Sequence, residues 1–425
     1  MPRSQFSFVF IVCFSAAACL AADSASDVGL TLSEALRRAN ANNPALIAQG
    51  FHERAAEARI EQAGLRPNPT LDVMAENIAG TGALRGVDGL ETTVQASQTL
   101  ERGDKRLKRL ALARSDRDAA AREFAVRRTE VLSATALAYV ETLAAQRRVA
   151  LAAEPLTLAR DTIASAEARV KEGMGSPAEL ARARAALAGA KAEHARAESA
   201  LISARAALAA AWAGEPDDVP ELSGTLPTPD NLPSPEAFLG KLPLHPRLAL
   251  QESLVATQRA ALDLERAQSV QDVTVGGGVR FLRDGSDAAL VAGVSIPLPF
   301  RNRNQGNIRA ARELLAGAEQ GTRVVEIELR TAFAVAWREA QAAHAAAQEL
   351  RRDALPATEE ATALVRRAYD EGHLPLIDVI DAQRELVAIR REILDAETAC
   401  ALALVRAEGV VDTTFPFTTS LLSSR

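Results

Sequence analysis

The chain carries nearly the same message twice, and that repetition constrains its fold more than any single motif. Asn43-Pro44-Ala45-Leu46 returns as His245-Pro246-Arg247-Leu248, 202 residues later. Ala138-Tyr139-Val140-Glu141 returns as Ala336-Trp337-Arg338-Glu339, and Glu172-Gly173 as Glu371-Gly372, at offsets of 198 and 199. Each copy reads helix, two alternating strands, one very long helix, a Gly-containing turn and another helix. A period this long is a structural half, not a solenoid unit. Two equivalent halves suit a wall built by symmetry.

The strands carry the strongest geometric demand. Leu90, Thr92, Val94, Ala96 and Gln98 alternate with Glu91, Thr93, Gln95, Ser97 and Thr99, and Val273, Val275, Gly277, Val279 and Phe281 alternate with Thr274, Gly276, Gly278, Arg280 and Leu282. Ala288 to Ile296 alternates in the same way, whereas in Thr70 to Ala79 Met74 interrupts the polar face. This period of two marks strands with one apolar and one polar face. They pair as hairpins through a Gly-rich loop (80–89) and through Arg283-Asp284-Gly285-Ser286-Asp287. Strands of about ten residues cross a bilayer when tilted. Four cannot close a barrel, because open edges are not tolerated in lipid and the smallest membrane barrels have about eight strands. Strands placed in a membrane therefore require oligomerisation; the other reading is two amphipathic hairpins on a soluble body.

The helices are long and poor in bulk. From Gly103 to Lys171 the only proline is Pro155, and from Asn304 to Glu371 it is Pro356. Apolar positions such as Leu137, Ala144, Leu151 and Leu158 fall seven apart, the spacing of a coiled-coil seam. A helix of about 67 residues spans on the order of 100 Å. The equivalent prolines predict that both long helices kink or break at the same height. With 4% aromatic residues and long Ala-dominated stretches, the chain suits extended bundles better than a thick globular core. The net charge of −6 is built from interspersed signs, without the basic face that nucleic-acid binding needs.

Residues 1–22 read as a signal peptide: Arg3, an apolar run from Phe6 to Leu20, then small residues. That run is too short for a membrane helix. Cleavage falls near Ala22, or alternatively just before Cys19 with lipid on that cysteine. Residues 23–213 form the first repeat, with strands at about 70–79 and 90–100. An exposed Pro-rich connector follows at 214–235, with a short strand or helix expected against the bundle's waist, and then the second repeat at 236–411, with strands at about 272–283 and 288–297. Residues 412–425 read as a poorly structured tail. Cys400 lies in an apolar helical stretch and reads as a small core residue.

At the second Gly turn the chain resembles the TolC-type outer-membrane efflux family. The match runs from Ala368-Tyr369-Asp370-Glu371-Gly372 to Ile380-Asp381-Ala382-Gln383, and its first-half counterpart is Arg169-Val170-Lys171-Glu172-Gly173 to Pro177-Ala178-Glu179-Leu180. A narrower resemblance, to the cobalt-zinc-cadmium (Czc-type) outer-membrane components, rests on Arg66-Pro67-Asn68-Pro69, on Gln98 to Arg106, and on Pro297-Leu298-Pro299-Phe300 through Gly306-Asn307-Ile308. The resemblance implies a mainly helical homotrimer. Its twelve strands would form one outer-membrane barrel and its helices a periplasmic tunnel. It also implies a passive exit duct for heavy-metal cations such as cobalt, zinc, cadmium or copper, partnered by a periplasmic adaptor and an inner-membrane resistance-nodulation-division pump, with outer-membrane lipid around the strands. The alternatives are a duct for drugs or other small organic molecules, a periplasmic adaptor, or a lipid-anchored structural coiled coil.

No chemistry is evident. The five histidines (His52, His194, His245, His344, His373) are scattered without ligand spacing, no cofactor motif is present, and no enzyme is expected. Asp378 and Asp381 are three apart on a helix starting near Pro375, so they share a face. By resemblance they would become two stacked carboxylate rings in a trimer, with Tyr369 an aromatic gate residue and Glu179 the first-half counterpart of Asp378. The competing reading is that first-turn carboxylates simply complement the helix dipole. Gly173 and Gly372 mark the turns an adaptor would meet. Two departures stand out. Leu374 occupies the place of an arginine that helps lock the mouth in the family's best-known form, and Phe281 and Phe300 are the only obvious aromatics for an interfacial girdle.

Overall fold

The computed structural model describes residues 29–173, 175–226, 231–411 and 415–423. The leader and Cys19 lie outside these residues. The first copy comprises α1 (Leu32–Asn42), α2 (Pro44–Gly64), β1 (Thr70–Glu76), β2 (Glu91–Leu100), α3 (Lys105–Lys171) and α4 (Pro177–Ala210). The connector holds α5 (Pro235–Leu239). The second copy comprises α6 (Pro246–Gln268), β3 (Val273–Leu282), β4 (Asp287–Ser295), α7 (Gln305–Glu349), α8 (Leu355–Asp370) and α9 (Leu376–Gly409), followed by α10 (Pro416–Ser423).

The repeated Asn-Pro and His-Pro dipeptides are helix starts. Asn43 Oδ1 accepts from the Ala45 amide at 2.9 Å, and His245 Nδ1 accepts from the Arg247 amide at 3.0 Å. The following proline sits at the first helical position, where its missing N–H costs nothing. The long helices also start alike, after Asp104 (φ 57°) and Asn304 (φ 60°), short polar residues that tolerate a left-handed backbone.

The four strands form one antiparallel sheet in the order β1-β2-β3-β4. The two copies meet at its centre, where β2 pairs with β3 through Val94↔Val279 and Ala96↔Gly277. β1 stops at Glu76, short of the expected Ala79, because Asn77 (φ 60°) turns the chain out of the extended region.

α3 is 67 residues long and continuous through Pro155. This corrects the expectation of matching breaks: only the second copy is interrupted, by a π-helical segment, Leu350–Ala354, just before Pro356. There the wider turn accommodates the proline ring and its missing donor.

The core gathers at the waist, where Leu132, Tyr139, Leu143, Leu208 and Val405 are buried together with Leu222 and Leu226 of the connector. The connector thus packs against the waist as expected, Leu30 and Leu222 forming a short parallel bridge, but its leucines are buried there instead of exposed. The tail also departs from expectation. Phe415 is fully buried, and the buried Glu408 carboxylate accepts from the amides of Phe417 (2.7 Å) and Thr418 (2.8 Å), capping α10. Cys400 is buried and its thiol is pushed up to about 11 by that burial. No helix among the described residues is long and apolar enough to cross a membrane.

Candidate functional site

Two regions at opposite ends of the molecule carry the functional geometry: the sheet and the helix-turn tip. In the sheet, register sorts the side chains. Leu71, Val73, Val94, Ala96, Val275, Val279, Leu290 and Val294 occupy partnered positions across all four strands and share one face. This face is exposed, with Leu290 at 90% and Leu71 at 71%. So broad an apolar face needs a covering surface. Phe281 and Phe300 are exposed as well, which fits both for an interface.

The opposite face is polar. Arg280 reaches Glu91 at 3.0 Å, Glu76 at 3.4 Å and the Thr93 hydroxyl at 3.0 Å. The cluster joins three strands and both copies, and sequence reading missed it because its members lie up to 204 positions apart. The alternation of Arg280 within β3 was the only available signal. The sheet's outer strands, β1 and β4, each have one edge without a partner strand among the described residues.

At the tip, α3 turns into α4 and α8 into α9 through matching structures. Gly173 (φ 77°) and Gly372 (φ 81°) both take the left-handed conformation. Their amides bond back to Val170 (3.1 Å) and Tyr369 (2.9 Å), closing the helix ends. A side chain at either glycine would meet no neighbour, so backbone conformation alone accounts for the residue.

The helix starts that follow are not equivalent. At α4, Ser176 and Glu179 form a capping box: Ser176 Oγ accepts from Ala178 (3.2 Å), and Glu179 accepts from the Ser176 amide (3.4 Å). Asp378 sits at the same third position of α9, but its N-cap is Pro375, which has no N–H to offer. Asp378 therefore has no capping partner among the described residues, and it is half-buried. Asp381 is exposed and 3.5 Å from Arg384. Both carboxylates lie away from the helix face that buries Leu376, Val379 and Ile380.

Tyr369 is not at an open surface of the chain. It is 5% exposed, packs in the tip core with Ala166 and Ala183, and lies beneath the Arg169 guanidinium at 5.0 Å. It ties the two helical hairpins together, and its hydroxyl has no partner among the described residues. Above the tip, α3, α4 and α9 enclose a groove of about 350 Å³ lined by Leu158, Thr162, Ala186, Ile380 and Val387. No group of three or more His, Cys, Asp or Glu among the described residues is arranged to hold a metal ion.

The family model described as "Outer membrane efflux protein" matches residues 35–214 and 242–407, one segment in each copy. The cobalt-zinc-cadmium resistance protein CzcC of Cupriavidus metallidurans is 30% identical over 361 residues, covering 85% of each chain. The nickel and cobalt resistance protein CnrC of the same organism is 32% identical over 299 residues, covering 70% of each. Among solved structures, the outer membrane protein VceC of Vibrio cholerae superposes with a TM-score of 0.72 at 19% identity, over 89% of this chain and 95% of its own. The duplicated matches coincide with the two helical copies, and the likeness in fold extends across both. The chain belongs to the outer membrane efflux protein family.

Proposed function

We propose that the protein is a passive outer-membrane exit duct for heavy-metal cations, assembled as a homotrimer. The observation that carries this reading is the sheet, with an apolar face across all four strands and two unpaired edges. In lipid, unpaired edges must be closed. Pairing β1 of one copy with β4 of the next closes twelve strands into a barrel and removes every edge. The apolar face then meets lipid and the Arg280 cluster lines the lumen, while the helices continue the wall into the periplasm. Cobalt, zinc, cadmium and nickel are the cargo suggested by the names of the two relatives, and metal ions pass as cargo without a resident site. A periplasmic adaptor and an inner-membrane resistance-nodulation-division pump complete the path, with the adaptor meeting the turns at Gly173 and Gly372.

The narrow mouth lies at the tip. Asp378, without a capping role, and Asp381 form stacked rings that attract cations. Glu179 serves its own helix, and Tyr369 fixes the hairpin that carries the rings. Reconstitution in planar bilayers with cobalt or zinc gradients tests this reading. A trimer-sized, cation-selective conductance that loses selectivity in Asp378→Asn/Asp381→Asn is expected; a protein that forms no pore overturns the duct. Selectivity unchanged in the double variant overturns the ring assignment.

A further inference from the structure

At the helix end of the sheet, where each strand pair meets its helices, the surface is basic and apolar together. One concavity of about 640 Å³ is lined by Arg66, Leu100, Arg102, Arg106 and Leu107 among others. A second, of about 530 Å³, lies at the equivalent junction of the second copy, with Gln271, Leu298, Phe300, Arg301 and Asn302 in its wall. The nearby acids are largely committed elsewhere. Asp272 binds Lys105 at 2.8 Å and the Arg102 amide at 3.0 Å, and Glu101 is held by Arg109. Arg66, Arg102, Arg106 and Arg301 are exposed, and none has a carboxylate partner among the described residues. Asp104 is the one uncommitted acid in the first concavity.

Apolar side chains share the same walls and are left in water: Leu298 is 69% exposed, Phe300 79%, Leu107 55% and Leu100 48%. A free phosphate would answer the guanidiniums and leave these groups uncovered. A lipid answers both, because its phosphate accepts paired guanidinium N–H bonds while its first methylenes cover the apolar side chains. Edge-to-edge closure of the sheet brings the two kinds of concavity together. The segment before β1 and the segment after β4 both lie at the helix end, so neighbouring copies would place them side by side.

We propose that these junctions form a binding site for an anionic phospholipid of the periplasmic leaflet. Arg66, Arg102, Arg106 and Arg301 hold the headgroup, and Leu100, Leu107, Leu298 and Phe300 hold the start of the acyl chains. The site supplies the interfacial anchoring that the sparse aromatic girdle lacks. Its place in the bilayer rests on the duct reading above.

Native mass spectrometry of the full-length protein in neutral detergent tests it, with phosphatidylglycerol, phosphatidylcholine and inorganic phosphate as probes. Phosphatidylglycerol is expected to bind saturably and more tightly than phosphatidylcholine. Arg66→Gln/Arg102→Gln/Arg106→Gln should weaken it by about tenfold or more, while Arg323→Gln, on the exposed surface of α7, should not. If the triple variant fails to assemble, Arg301→Gln carries the test with a smaller loss. Undiminished binding in the variants, or inorganic phosphate displacing the lipid at the lipid's own concentration, overturns the proposal. Oligomer mass and conductance are read on the same preparations. Wild-type protein that binds the lipid without forming a conducting trimer overturns the duct and keeps the lipid site.

Discussion

The two halves meet one problem, a long helix interrupted by proline, in two ways. α3 carries Pro155 through 67 continuous residues, whereas the second copy opens a π turn at Leu350–Ala354 before Pro356. The same contrast recurs elsewhere. Tyr139 lies within hydrogen-bond reach of two waist carbonyls, Ser223 at 2.6 Å and Leu30 at 2.9 Å, and burial pushes its hydroxyl up to about 12. Its counterpart Trp337 stacks on Phe333 at 5.9 Å, and its indole N–H has no partner among the described residues. Duplication preserves where helices start and stop, and divergence decides what each copy is tied to. At this height α9 is pinned on several sides. Arg390 bridges Glu154 (2.5 Å) and Glu359 (3.0 Å), Arg391 meets Glu193 (3.0 Å), Asp395 meets Arg148 (2.8 Å), and Glu397 pairs with Arg351 of the π turn. Each exposed pair is worth little singly, but together they form a network around one helix.

Substitutions at matched positions sharpen or break this contrast. Pro155→Ala should stabilise the protein most, by up to about 3 kcal/mol, because proline within a continuous helix forfeits a hydrogen bond and crowds the preceding turn. Pro356→Ala should gain clearly less, since the π turn already relieves it. Denaturant midpoints of the two variants in the same detergent would decide, and equal gains would break the contrast.

The matched N-caps differ in their response to pH. Burial, with a further contribution from Arg247, lowers His245 from its ordinary 6.5 to about 4. A depressed histidine stabilises the fold above pH 6.5 and loses that contribution as the pH falls towards 4, because the unfolded chain takes up the proton first. The loss by pH 5 is about 2 kcal/mol, and protonation of Nδ1 would also remove the acceptor that caps α6. His245→Asn, which copies Asn43, should flatten stability between pH 4 and 6.5 in a melting series.

A smaller effect separates the two aromatic anchors. Tyr139→Phe should cost about 1–2 kcal/mol by leaving the part-buried Ser223 carbonyl without the hydroxyl donor, whereas the Leu30 carbonyl keeps the Ser223 amide at 3.0 Å. Trp337→Phe loses no hydrogen bond and should register in unfolding curves only as lost packing volume. Smallest is the pair at the tip: Glu179→Ala should cost about 0.5–1 kcal/mol with conductance unchanged. Asp378→Asn should leave stability unchanged while reducing cation selectivity in single-channel recordings.

Much of the fold was legible because it is written in local periodicities. Alternation located all four strands to within a few residues, and the seven-residue spacing located the long helices. The tail was misread because its order depends on Glu408, whose role as a buried cap is invisible without the distance between it and Thr418. The connector was legible in part: prolines and aspartates mark a turn-rich path against the waist, but not that Leu222 and Leu226 bury themselves there against helices far away in the chain. At the candidate site, the acidic pair and its face were readable, whereas the inward burial of Tyr369 against Arg169 depends on how two hairpins pack.

Sequence by itself determined the duplicated plan, the two-faced strands and the paired Gly turns, because each follows from the short-range preferences of successive residues. Tertiary structure alone decided which strand faces align, that Arg280 gathers Glu76 and Glu91, and that one long helix opens a π turn where its twin runs on. It also showed that proline at the α9 cap leaves Asp378 without the task that occupies Glu179. That last difference is local, but the others are consequences of register and packing between segments far apart in the chain, where small differences in neighbours choose between outcomes that local preference leaves equal.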